Sequence, residues 1–147
     1  MVTSYTGVFL DWVKATIIGT GLVQPGEVYD EREKSLEWVI SESMESLTGI
    51  SCLVNLPTLT RDPQADGANE YSVETVVSIR RNVALSPTRD PYAIAENLLA
   101  ALNCGRFYPN AQDSSNFIPN VHVSRLAHRA DKEDSLHTIN IQTTIII

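Results

Sequence analysis

The segment SLHTINIQTTIII, residues 135–147, constrains the fold of this chain more than any other, because its side chains alternate so regularly. In an extended strand, successive side chains point to opposite faces of the sheet. One face carries His137, Ile139, Ile141, Thr143 and Ile145, and the other carries Leu136, Thr138, Asn140, Gln142 and Thr144. One apolar and one polar face are typical of an antiparallel sheet that helices cover on one side only.

Three further strands and three helices are predicted from apolar spacing and turn residues. The strands are predicted over 51–59, 70–82, 118–129 and 135–147, and the helices over 6–18, 30–47 and 91–102. We therefore predict an α+β fold of about four mainly antiparallel strands with helices on one face, in the order α-α-β-β-α-β-β. Residues 1–147 are expected to form a single domain, in which 1–29 are an N-terminal extension with a short helix.

Local signals place the ends of several elements. Glu31 and Glu33 suit the N-terminus of a helix that begins at Asp30, because the helix dipole favours anions there. Asp90 is predicted to cap the third helix, with Pro91 as its first residue. Pro57, near the end of the strand 51–59, predicts an edge or a bulge because proline has no N–H to donate.

The composition excludes some classes of function. The chain has 11 Lys and Arg against 18 Asp and Glu residues, a net charge of −7, whereas proteins that neutralise phosphates need a basic face. We expect no signal peptide, and no apolar run reaches the roughly 20 residues of a membrane span. Cys52 and Cys104 have no metal-type spacing and are interpreted as buried free thiols, although a disulfide between them stays open.

The three histidines are the first candidates for chemistry. His122 and His128 have equal parity on one predicted strand, about 20 Å apart at ~3.3 Å per residue, so they are not expected to share a metal ion. His137 is placed to face one of them across the predicted hairpin. The loop 61–69 has residue types that bind calcium but lacks the EF-hand pattern. We therefore predict no catalytic residue, no cofactor and no metal site.

Five segments, in their order, carry a resemblance to a known family. They are EKSLEWVISESMESL, SCLVNLPTLTR, YSVETVVSIRR, DPYAIAENLLAAL and the closing hairpin VHVSRLAHR…HTINIQTTIII. Over residues 30–147 this order is similar to that of the tail terminator (tail completion) proteins of long-tailed bacteriophages and the related small head–tail joining proteins. Residues 1–29 are additional to that pattern.

The resemblance implies a virion structural protein that is assembled in the host cytoplasm and is not an enzyme. It implies a homo-oligomer, a hexameric ring that ends the tail tube, binds the tail tube protein and docks to the head connector or neck proteins. DNA would pass through the ring without specific binding, and no membrane is involved. The acidic composition agrees with such a channel, since carboxylates repel phosphates.

Ten residues are predicted to contact a neighbouring subunit or the tube, because they lie on the loop 60–70, the hairpin tip 131–134, the linker 106–117 or a paired-arginine segment. They are Arg61, Asp62, Gln64, Asp66, Asn69, Arg80, Arg81, Phe107, Tyr108 and Lys132. Two other interpretations remain: a polar loop without a partner, and a linker that folds back against the edge of the core.

Three other functions stay open from the sequence. The first is another phage neck, head-completion or baseplate component. The second is a cellular ligand-binding α+β module, which should have a pocket with convergent polar groups. The third is a metal-dependent enzyme that would use His122, His137 and carboxylates of the loop.

Overall fold

The computed structural model describes residues 4–33, 49–61, 70–82, 89–103, 105, 107, 121–131 and 134–146. The helices within these ranges are α1 (Tyr5–Gly19) and α2 (Pro91–Leu102), and a single 3-10 turn covers Pro25–Glu27. The strands are β1 (Val28–Asp30), β2 (Ile50–Val54), β3 (Thr58–Arg61), β4 (Glu70–Asn82), β5 (His122–Asp131) and β6 (Asp134–Ile146).

Helix α1 begins at a polar cap and is followed by a glycine. The Ser4 hydroxyl accepts a hydrogen bond from the Gly7 N–H at 3.1 Å, which satisfies one free donor of the first turn. Gly21 has a φ of 73°, in the left-handed region that favours glycine. The buried side chains recur at helical spacing and are Phe9, Leu10, Val13 and Ile17. The helix predicted over 6–18 is confirmed.

The helix predicted to begin at Asp30 does not begin there. Asp30 is the last residue of β1, which pairs in parallel with β2. The Glu31 N–H then donates to the Val54 carbonyl at 3.1 Å, so the chain still follows β2 after the strand ends. The acidic residues fit a helix start by charge, but pairing with β2 decides the local structure. Residues 34–47 of that predicted helix lie outside the described residues.

A buried ion pair holds the turn before β1 against the start of α2. Glu27 is 3% exposed, and its carboxylate accepts hydrogen bonds from Arg89 at 2.6 and 3.1 Å. Arg89 also donates to the Leu22 carbonyl at 3.0 Å. One bidentate arginine therefore joins two segments that are 62 residues apart in the sequence.

Strands β2 and β3 occupy the segment 51–59 that the sequence predicts as one strand. Both pair antiparallel with β4, but β2 ends at Val54 and β3 begins at Thr58. Residues 55–57 therefore face two residues of β4 and form a β-bulge, which bends the strand. Pro57 lies inside this bulge, so its predicted position at an irregularity is confirmed.

Helix α2 follows its predicted signals. The Asp90 carboxylate accepts hydrogen bonds from the N–H groups of Tyr92 and Ala93 at 3.0 and 3.3 Å, and Pro91 is the first helical residue. Proline costs nothing at this position because its missing N–H has no partner in the first turn. The buried side chains of α2 are Pro91, Ile94, Ala95, Leu98 and Leu102.

The closing hairpin of β5 and β6 is confirmed, but β5 contains a bulge that the sequence does not show. The register shifts at Ser124. Because a shift of one residue moves a side chain to the other face, His122 and His128 lie on opposite sides of the sheet. The prediction of equal parity is therefore wrong. His128 pairs directly with His137, as the sequence allows.

The predicted fold class is wrong in its details. The sheet has six strands, with β1-β2-β4-β6-β5 as the main order and β3 also paired with β4. The described residues contain two helices and follow the order α-β-β-β-β-α-β-β, and the β1–β2 pair is parallel. The chain is thus α+β, but not a sheet of about four antiparallel strands in the predicted order.

The core lies between one face of the sheet and the two helices. It contains Val73, Val77 and Ile79 of β4 together with alternate residues of β6. Cys52 is also buried there, and burial raises the pKa of its thiol to about 12, so it is an unreactive core residue. Cys104 lies outside the described residues. Neither described helix is long and apolar enough to cross a bilayer.

Candidate interaction surface

Three of the predicted contact residues lie on described strands but are far apart. Arg61 is exposed at the end of β3, opposite Tyr71 of β4. Arg80 and Arg81 are half-buried near the other end of β4. The β4 positions 71 and 80 are about 30 Å apart at ~3.3 Å per residue. The structure therefore does not bring these arginines together in one surface.

One other predicted contact residue is in the core. Phe107 is 1% exposed, and its ring meets the rings of Phe9 and Trp12 at centroid distances of 5.1 and 5.8 Å. For this residue the linker folds back against the core, which is one of the two interpretations that the sequence leaves open. The remaining predicted contacts lie outside the described residues and are Asp62, Gln64, Asp66, Asn69, Tyr108 and Lys132.

The face of the sheet that points away from α1 and α2 has a concavity of about 460 Å³. We call this face the open face, and it carries Thr58, Glu74, Val76, Asn140 and Gln142. Both β-bulges line the concavity, through Asn55 and Leu56 on one side and Ser124 on the other. Bulges increase strand twist and bending, which explains a hollow between these two strands.

The concavity is lined by polar side chains and carries one carboxylate among the described lining residues. Glu74 is exposed and supplies a carboxylate. The described residues that line the concavity include no Lys or Arg. Gln142 donates through Nε2 to the Ser72 hydroxyl at 2.9 Å, which leaves its Oε1 as an acceptor. The Oδ1 of Asn55 is buried and has no donor within the described part of the chain. The arrangement suits a guest with several N–H groups and a positive charge.

Two arginines lie on the same open face at the sheet's edge. Arg125 is opposite Asn140, and Arg129 is opposite Leu136. Both are exposed, and within the described ranges neither has a carboxylate at ion-pair distance. In the described residues β5 pairs with β6 alone. An edge strand with charged side chains resists nonspecific pairing and leaves these charges available to a specific partner.

A group of polar residues lies beneath the first turn of α2. The Nδ1 atoms of His128 and His137 are 2.7 Å apart, and Nε2 of His137 is 2.9 Å from the Ser135 hydroxyl. On the outer side, Nε2 of His128 is 3.9 Å from a Glu96 oxygen. The Tyr92 ring packs on both imidazoles, at centroid distances of 5.0 and 4.7 Å. A chain of polar contacts thus joins α2 to the β5–β6 hairpin.

His137 is kept neutral in this position. Its ring is fully buried, and burial together with the charge of His128 lowers its pKa from 6.5 to about 4, although Asp90 acts in the opposite direction. The neutral ring has one N–H and one lone pair, which match Ser135 and His128. Among the described residues no three His, Cys, Asp or Glu side chains form a metal-binding group. The pair joins β5 to β6, and Tyr92 of α2 packs on both rings.

A network of charges surrounds the end of β1. Asp30 is completely buried and accepts hydrogen bonds from Arg32 at 2.8, 2.9 and 3.2 Å. Lys14 of α1 lies 3.3 Å from the same carboxylate and also pairs with Glu33, while Arg32 pairs with Asp11 at 2.6 Å. Burial alone raises the pKa of Asp30, but Arg32 and Lys14 outweigh it and lower that pKa from 3.8 to about 2.

We expect the Asp30→Asn variant to lose about 2–3 kcal/mol of the free energy of unfolding at neutral pH. The amide keeps the shape of the side chain but no longer balances Arg32 and Lys14. Urea unfolding measures this loss. In the wild type this stabilisation is present above the unfolded pKa of 3.8 and disappears as the pH falls through about 2.

The control for that variant is Glu33→Gln, which removes an exposed partner of Lys14. The Glu33 side chain is 46% exposed. Its loss should cost less than about 1 kcal/mol, as is usual for surface ion pairs. Equal losses in the two variants would show that burial of Asp30 does not set the strength of the network.

The sequence does not show the concavity, because the concavity is lined in part by the bulge at Ser124, and no glycine or proline marks that position. The sequence does place His137 opposite one of the other two histidines, and the pairing of β5 with β6 identifies that residue as His128. The sequence does indicate that His137 is buried, because it lies on the apolar face of β6 together with Ile139 and Ile141. No protein-family model matches the chain, and no curated protein matches it either.

Proposed function

We propose that this chain is a virion structural protein that forms a ring at the head-proximal end of a phage tail. Four of the segments that carry the resemblance lie wholly or partly in the described residues, and their strands and helix support the proposal: SCLVNLPTLTR forms β2 and β3, YSVETVVSIRR lies within β4, DPYAIAENLLAAL forms the cap and body of α2, and the closing hairpin forms β5 and β6. The segment EKSLEWVISESMESL lies mostly outside the described residues.

The observation that carries the proposal is the exposed β5 edge with Arg125 and Arg129. An acidic chain with two exposed arginines at the edge of its sheet, neither of them paired with a carboxylate within the described ranges, is electrostatically suited to a second copy of itself. When the two contacting surfaces of a subunit differ, repeated contacts close into a ring or extend into a filament. A hexamer follows from the resemblance and not from this edge.

The remaining parts of the proposal follow from the same assembly. The ring ends the tail tube and joins it to the head connector or neck proteins, through the loop predicted over 60–70 and the tip predicted over 131–134. Its net charge of −7 per subunit lets DNA pass without being retained. The proposal assigns no catalytic residue and no cofactor.

The concavity on the open face favours a second candidate, a cellular ligand-binding module. Its volume of about 460 Å³ and its convergent polar groups lie in the range of small-molecule sites. Such a module would stay monomeric or dimeric. Other neck, head-completion or baseplate components share the assembly expected for a tail terminator, and the genes around this one would separate them.

Light scattering over a wide range of protein concentration, followed by negative-stain imaging, tests the ring. We expect open rings of about six subunits, in keeping with closed cyclic symmetry. Deletion of residues 62–68 should prevent tail attachment or ring formation. A protein that remains monomeric both alone and when mixed with tail tubes contradicts the proposal and favours the ligand-binding module.

A further inference from the structure

We propose that the concavity on the open face binds an arginine side chain of a second copy of this chain, and that the arginine is Arg129. This inference rests on the proposed assembly and names the contact that would hold it together. It assigns Glu74 as the carboxylate that pairs with the incoming guanidinium.

The lining of the concavity matches the chemistry of arginine. Glu74 provides a negative charge with no described partner, and the side-chain oxygen of Gln142 adds a neutral acceptor. A guanidinium has five N–H donors and no acceptor, so it can serve several of these oxygens together.

Apolar groups beside these acceptors suit the stem of an arginine. Leu56 is 49% exposed, which is high for a large apolar side chain, and Val76 is half-buried next to it. Arginine packs its methylene groups along such surfaces while its charged end stays polar. A divalent cation fits less well, because Glu74 is the one carboxylate among the described lining residues and hard cations need several oxygen charges.

The same molecule carries the complementary group. Arg129 is exposed on the open face and has no carboxylate partner among the residues that the structure describes. Arg129 pairs with Leu136 of β6, and Leu136 pairs in turn with Arg80 of β4. Arg80 is six residues from Glu74 along β4. That separation is about 20 Å along the strand, so Arg129 does not reach the concavity of its own subunit. The proposal therefore assigns the partner of Arg129 to another molecule.

Charge reversal at both positions tests the contact. We expect Glu74→Arg and Arg129→Glu each to weaken self-association, measured by sedimentation velocity, by about tenfold or more. The double variant Glu74→Arg with Arg129→Glu restores the pair in reversed polarity and should recover most of the wild-type association.

A matched double variant separates this pairing from net charge. Glu96 is 65% exposed on α2, on the helix side of the sheet. Glu96→Arg with Arg129→Glu has the same net charge as the wild type but leaves the concavity unchanged, so it should not restore association. Equal recovery in both double variants, or no effect of the single variants, overturns the inference.

The size of the assembly separates this inference from the proposed function. Rings that tolerate both single variants would uphold the ring and overturn the arginine contact. Dimers that respond to the charge exchange would uphold the contact, as a symmetric pair in which each copy fills the other's concavity, and overturn the ring. A monomer at every concentration overturns both.

Discussion

The Phe107→Ala variant should lose about 3–5 kcal/mol of the free energy of unfolding. The Phe107 ring is 1% exposed and meets Phe9 edge-on and Trp12 at an angle. Its removal leaves a cavity beside α1 and also ends two aromatic contacts, each worth up to about 1 kcal/mol beyond the buried area. Urea unfolding followed by circular dichroism measures the loss, and Phe107→Leu, which keeps part of the volume, should lose less.

A large apolar side chain on the open face serves as the control. Leu136 is 37% exposed, and Leu136→Ala should cost clearly less than Phe107→Ala because more than a third of the residue stays in contact with water in the folded protein. If Phe107→Ala instead kept its stability and lost self-association, the side chain would serve a partner, as the sequence analysis proposes for the linker. A core role lowers the free energy of unfolding, whereas a contact role lowers self-association. Both quantities can be measured on the same preparation of the variant.

Elements with a local signal were predictable from the sequence. The cap Asp90 followed by Pro91 fixes the start of α2, and the alternation of β6 fixes which of its residues are buried. Strand β1 was missed because it has only three residues, fewer than a periodic pattern needs, and its pairing partner β2 comes 20 residues later in the chain. Short parallel strands depend on such distant partners and not on their own composition.

The candidate surface was less predictable than the fold. Arg125 and Arg129 look like scattered charges in the sequence. Equal parity puts them on one face of β5, but that this is the open face becomes visible only from the pairing of β5 with β6. Phe107 was predicted to be a contact residue because an aromatic side chain in a polar linker suggests an interface. In the structure it is buried against Phe9 and Trp12 of α1 instead. Gly105 supports this path, since a Cβ there would lie 2.7 Å from the Trp12 ring.

Acid should destabilise the protein through His137, by about 3 kcal/mol between pH 6.5 and pH 4. The unfolded chain takes up a proton near pH 6.5, whereas the folded protein does so only near pH 4, because burial and His128 disfavour the charge. The stability is therefore unaffected above pH 6.5, falls progressively between pH 6.5 and about 4, and does not fall further from this cause at lower pH. This interval lies above the one in which Asp30 titrates, so the two effects are separable.

Urea unfolding of the wild type, His137→Gln and His122→Gln over this interval measures the effect. The His137 variant should lose most of the pH dependence, while His122→Gln should keep it, since His122 is exposed on the other face. If His137→Gln does not fold, the ring-proton resonances of the wild type still report the titration. A titration of His137 near its ordinary value of 6.5 would contradict the assigned environment.

The contacts of His128 and His137 predict which part of the protein acid destabilises first. His128 and His137 join β5 and β6, and Tyr92 places the first turn of α2 on both rings. A second positive charge at this point would repel His128, and Arg81 of β4 adds to the repulsion. Amide hydrogen exchange at mildly acidic pH should therefore increase first in the early turns of α2 and in β5, before the centre of β4. Uniform acceleration across the sheet would instead indicate global unfolding without a local cause.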